Sequence, residues 1–111
     1  MKKLNVMYNH NIFDEPYKQS EVRKTEGKIK ALLGDDVQVI VTHTSFSAPN
    51  SFFPDSDLII AEHTFTMASE EKRALATILN ESVTRLKKCE PTDVVVSFRK
   101  IEEDDLYLFE V

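Results

Sequence analysis

Tryptophan is absent from this chain of 111 residues, cysteine occurs once and glycine only twice. The lone thiol, Cys89, has no partner within the chain, so no internal disulfide can staple the fold. It reads as a small filler near a helix end and fits a reducing compartment. With glycine only at Gly27 and Gly34, neither a dinucleotide-binding fingerprint nor a phosphate-cradling loop can be built. Histidine is scarce too: His10, His43 and His63 show no short His-x-x-x-His spacing and have no cysteine cluster beside them. Neither a metal nor a cofactor is expected. Nor is any Ser-His-Asp set or paired-carboxylate motif recognisable. No apolar run approaches the roughly 20 residues that cross a bilayer, and Met1-Lys2-Lys3 is not followed by a signal-type apolar stretch. The expectation is a cytoplasmic protein without a membrane partner.

Positive charge is also in short supply. Lysine and arginine total 14 against 19 acidic residues, for a formal net charge of −5. Nucleic acids attract proteins chiefly through clustered cations, so a nucleic-acid partner is not expected. The basic stretches at Arg23-Lys24, Lys28 to Lys30 and Arg85 to Lys88 fall within or at the end of predicted helices and read as solvated faces.

What is present is an ordinary globular composition, 41% hydrophobic and 30% charged, at the length of one domain. Leu4 to Tyr8 alternates as a strand, and Asn9-His10-Asn11 is turn chemistry. Glu15-Pro16 opens a helix carrying Val22, Ile29, Leu32 and Leu33, and Gly34 ends it. Val37 to Thr42 is rich in β-branched residues and reads as a central strand running to about Phe46. Residues 47–56, with two prolines and the adjacent Phe52 and Phe53, form the main loop; the aromatics plug the core edge, line a pocket or meet another subunit.

Asp57 opens a third strand to Phe65, and Ser69 caps a second helix running to about Lys88. Leu75, Ile78, Leu79, Ser82, Val83 and Leu86 give this helix one apolar stripe. Val94 to Phe98 is the fourth strand, ended by Arg99-Lys100. The acidic run Glu102 to Asp105 is a solvated turn, and Leu106 to Phe109 a short extended tail. The predicted fold is therefore α/β (α+β) in a single domain, 1–111. Two successive β-α-β units, about 1–46 and 57–100, form a four-stranded mixed sheet with both helices on one face. Apolar residues on both faces of the later strands leave the second sheet face in need of cover, which predicts self-association through it.

This layout, together with Asp57-Leu58-Ile59-Ile60-Ala61-Glu62-His63-Thr64-Phe65 leading into Glu70-Glu71-Lys72-Arg73 and a long helix, resembles the tautomerase superfamily. The likeness is to the proteins similar to macrophage migration inhibitory factor and 5-carboxymethyl-2-hydroxymuconate isomerase, and it spans Leu4 to about Phe109. It implies a homotrimer with active sites at subunit interfaces, and keto-enol tautomerisation or isomerisation of a small 2-oxo carboxylate.

The superfamily's base is an N-terminal proline exposed by removal of the initiator methionine, but position 2 here is Lys2. Lysine is too large for that trimming, so Met1 is expected to remain and present a primary amine with a pKa of about 7.7–8.0. Met1 and Lys2 are accordingly the catalytic candidates. Lys2 and Arg99 could hold a small anionic ligand, Tyr8 could donate a hydrogen bond, and His10 and His43 complete the substrate-binding candidates. Glu62 and His63, adjacent on a strand, point to opposite faces and make no dyad. The alternative function is a noncatalytic oligomeric binding or interaction module, using the Phe52-Phe53 loop.

Overall fold

The computed structural model describes residues 2–8, 16–43 and 57–102. Strand β1 spans Lys2–Tyr8, helix α1 Pro16–Leu33, β2 Val37–His43, β3 Asp57–His63, helix α2 Ser69–Lys87 and β4 Val94–Lys100, with a 3₁₀ turn at Pro91–Asp93. Each strand-helix-strand unit pairs its strands in parallel, as a crossover connection requires. The two units join through antiparallel pairing of β1 with β3, giving the order β2-β1-β3-β4. The mixed sheet expected from the sequence is the one observed.

Two local expectations need correction. The β-branched run of β2 sits at a sheet edge, not at its centre. Its Val37, Val39 and Val41 join or pack against the core, while Ile40, on the other face, is exposed. One apolar face with β-branched residues satisfies an edge strand as well as a central one. Nor does Ser69 cap α2. The cap is Ala68, whose N–H donates to Glu71 Oε1 at 2.9 Å while its carbonyl accepts from the Lys72 N–H at 3.0 Å. Glu71 thus supplies one half of a capping box. The helix closes at Lys88, in the left-handed region at φ 53°, and Pro91 follows. The loop 47–56 with Phe52 and Phe53, strand residues 44–46, and the tail at 106–109 lie outside the described residues.

The core forms where the helices cover one sheet face. Leu4 and Val6 of β1, Ile59 and Ala61 of β3 and Val37 of β2 pack with Ile29 of α1 and Leu75, Leu79 and Val83 of α2. Burial of such side chains stabilises by about 1.5–3 kcal/mol each, less the entropy of ordering them. Arg85 of α2 pairs with Glu21 of α1 across the helix interface. No helix among the described residues is long and apolar enough to cross a membrane.

One polar contact runs through this core. Ser82 Oγ donates to the Leu79 carbonyl at 2.6 Å, so the 3.0 Å contact between Tyr8 Oη and Ser82 Oγ is donated by the tyrosine. Burial pushes the Tyr8 phenol up to about 12.

A folded-state pKa above the unfolded value of about 10 means that the native state holds the proton more tightly. Its contribution is complete below pH 10 and drains away as the pH rises toward 12. Urea unfolding should therefore show stability falling by about 2–3 kcal/mol over that window, with Tyr8→Phe flattening the fall. At the α1 terminus, Gly34 has φ +107° and an added Cβ would meet Asp36 Oδ1 at 2.7 Å. Gly34→Ala should cost about 1–3 kcal/mol in thermal unfolding.

Candidate functional site

Because β3 runs against β1 and β4 runs with β3, the start of β1 and the ends of β3 and β4 meet at one end of the sheet. The register sets Leu4 beside His63 and His63 beside Lys100. Backbone bonds extend the pairing beyond the strands: Thr64 N–H donates to the Lys3 carbonyl at 3.1 Å and Ile101 N–H to the His63 carbonyl at 2.8 Å. The Lys3 N–H donates in turn to Thr64 Oγ1 at 3.0 Å. Side chains on alternate residues then divide between the two faces.

On the helix side, Lys2 Nζ stands 5.7 Å from the centroid of the Phe65 ring, a cation-π distance. His63 is buried at 2% exposure, its ring edge-on to Phe65 and Phe98. His63 Nδ1 lies 2.7 Å from the Phe65 carbonyl oxygen, which can only accept, so Nδ1 carries a proton. Nε2 is buried without a partner among the described residues. Lys100 Nζ reaches Thr66 Oγ1 and Glu102 Oε1, each at 3.3 Å.

On the other face a cavity of about 190 Å³ is lined by Lys3, Asn5, Ile40, Glu62, His63, Thr64 and Ile101. A polar row crosses the sheet beside it. Thr42 Oγ1 donates to Asn5 Oδ1 at 3.3 Å, and Asn5 Nδ2 donates to Glu62 Oε1 at 3.4 Å. Arg99 Nη1 lies 3.5 Å from Glu62 Oε2. The row has one residue from each strand, and Asn5 and the carboxylate of Glu62 are the parts that border the cavity. Its side chain is 24% exposed, against 59% for Arg99. The cavity therefore combines an apolar wall at Ile40 and Ile101 with an oriented carboxylate and a lysine, Lys3, in its lining.

A larger cavity of about 520 Å³ lies between α2 and β4, with Arg73 and Glu81 among its lining residues. It is the weaker candidate despite its size. The Asn80 amide within it is committed to the carbonyls of Pro91 and Val94 at 2.9 and 3.2 Å, and among the described residues it gathers no comparable set of oriented charges. Among the described residues no group of three His, Cys, Asp or Glu side chains could hold a metal.

The sequence candidates fare unequally. Lys2 and Arg99 reach the same end of the sheet but opposite faces of it. Tyr8 does not join them: six residues along β1, about 20 Å away, it is buried and bonded to Ser82. Its place on the strand gives it the parity of Leu4 and Val6, so it faces the core. His43 pairs with Tyr8 in the backbone register, at the far end from Lys2; its side chain, like Met1 and His10, lies outside the described residues. Glu62 and His63 do face opposite ways. Glu62, Asn5 and Lys3 are the site residues that sequence reasoning passed over, and the signal available was their shared parity across β1 and β3.

No protein-family model matches the chain, and no curated protein matches it. Solved structures do. Macrophage migration inhibitory factor of Toxoplasma gondii aligns with a TM-score of 0.66 at 12% identity, over 96% of this chain and 95% of that one. A wild-type fused 4-OT asymmetric trimer gives 0.62 at 17%, over 96% and 91%. Pt0534, in a form inactivated by 2-oxo-3-pentynoate, gives 0.59 at 12%, over 96% and 90%. Identities this low speak to the fold, and the fold of this chain is that of the tautomerase superfamily.

Proposed function

We propose that the protein is a keto-enol tautomerase or isomerase of a small 2-oxo carboxylate, working at the cavity beside the start of β1. The observation that carries this reading is that Lys3 and Glu62 line one pocket with an apolar wall, with Arg99 paired to that Glu62 at 3.5 Å. Enolisation needs a group that takes a proton from carbon, a charge that steadies the developing enolate, and a cation for the carboxylate. Glu62, Lys3 and Arg99 are groups of these three kinds, the first two lining the cavity and the third paired with Glu62. The fold supports the reading, as does the 2-oxo compound that inactivates one structural neighbour.

In this proposal Arg99, more than half exposed, has donors to spare for a substrate carboxylate, and Lys2 adds positive charge from the helix side. The amine that the fold's resemblance would place in the site is Met1 or Lys2, neither of them a proline. Self-association into a homotrimer is part of the same proposal. The fused 4-OT neighbours are trimers, and the second sheet face of this chain, with exposed Ile40, would be the contact, which sets the cavity that Ile40 lines at the boundary between subunits. We place the protein in the cytoplasm, on the strength of its single, unpaired cysteine.

Enolisation of phenylpyruvate, followed by absorbance, should exceed the buffer rate with the wild-type protein. Lys2→Pro, which permits methionine trimming and presents a proline amine, should raise it by about tenfold or more. Absence of turnover in both proteins would remove the catalytic reading. Sedimentation equilibrium should return about three times the 12.8 kDa of the single chain.

A further inference from the structure

The reading above leaves open which group takes the proton, because the superfamily's base has no counterpart at position 2. We infer that Glu62 takes it. This inference rests on the proposed tautomerase reading and assigns its central step to a residue that the sequence alone does not single out.

Four observations converge on Glu62. It is the one carboxylate lining the cavity among the described residues. Its side chain is three-quarters buried, so its position is defined by the protein and not by solvent. Its two oxygens are held by different groups, Oε1 by the Asn5 amide at 3.4 Å and Oε2 by Arg99 at 3.5 Å. Asn5 is itself fixed, since its Oδ1 accepts from Thr42. A carboxylate anchored in this way presents its remaining lone pairs in a constant direction, which is what general-base catalysis asks of geometry.

The competing amine is less well placed. Lys2 has the parity of Leu4 and His63, and its ammonium is drawn over the Phe65 ring on the helix side. Lys3, one residue on, belongs to the cavity. It is the ammonium that can face an oxygen of the substrate while Glu62 faces a carbon.

The step balances without a co-reactant. The proton on C3 of the 2-oxo acid passes to a Glu62 oxygen, and the C–H electron pair becomes the C2=C3 double bond. The carbonyl π pair moves onto the C2 oxygen, which takes a proton from the Lys3 ammonium or from water. Exchange with solvent returns Glu62 to the carboxylate and Lys3 to the ammonium.

The test is deuterium incorporation at C3 of phenylpyruvate in D₂O, read by proton NMR, for the wild type, Glu62→Gln and Glu62→Asp. Glu62→Gln keeps the size and the Asn5 contact but cannot accept the proton. It should lose a factor of about 100 or more in kcat with KM changed less than about threefold, and Glu62→Asp should recover part of the loss. Thermal unfolding of each variant identifies any loss caused by misfolding; if Glu62→Gln does not fold, Glu62→Asp decides, a rate equal to wild type overturning the assignment and a reduced kcat at unchanged KM supporting it. Wild-type exchange with an equally active, folded Glu62→Gln overturns the role of Glu62 and leaves the tautomerase reading standing. No exchange above buffer with the wild type overturns both.

Discussion

The antiparallel pairing of β1 with β3 is the constraint on which the rest of this structure depends. Within each half a strand, a helix and a parallel strand form a unit that cannot bury its own apolar face alone. Pairing the two first strands merges the units, places both helices on one side and creates the single core around Leu4, Val6, Ile59, Ala61, Leu75 and Leu79. The same register sets Asn5 beside Glu62, and Glu62 beside Arg99, so the polar row and the hydrophobic core are two faces of one pairing. A slip of one residue would exchange them, driving Glu62 into the core and Ala61 out of it. The register is therefore held by the cost of burying a carboxylate as much as by the gain of burying alanine and leucine.

Much of this was legible along the chain. The stripe on α2 from Leu75 to Leu86 specifies its buried side because helix periodicity is a local property, and the ends of α1 announce themselves through Pro16 and Gly34. Strand order is not local. The run Val37 to Val41 reads as buried, yet whether a strand with one apolar face lies at the edge or the centre depends on which neighbour the other half supplies. Glu71 as a capping partner was likewise in plain view, three residues after Ala68, but alanine carries no side-chain signal for a cap.

For the candidate site, two of the residues singled out along the chain, Lys2 and Arg99, lie at one end of the sheet. Tyr8 was misjudged because a phenol looks functional by composition, whereas its parity assigns it to the core with Val6. Glu62 shows the reverse. Flanked by Ala61 and His63, it has no neighbour in sequence that marks it, and its meaning arises only when β1 brings Asn5 and β4 brings Arg99 to it. A site assembled across strands is invisible to any reading that moves along one of them. The fold is that of the tautomerase superfamily, while position 2 is lysine and not proline.

The two halves of the sheet have a further consequence. Since β1 and β3 each begin a β-α-β unit and run in opposite directions, a pseudo-twofold axis passes between them near the Val6–Ala61 pair, and the start of β3 is the geometric counterpart of the start of β1. The two positions carry opposite formal charge: Lys2 and Lys3 open β1, and Asp57 opens β3. A near-symmetric backbone thus bears an antisymmetric charge pattern. At these matched strand starts the same backbone position carries opposite charge, so the duplication of form is not a duplication of electrostatics.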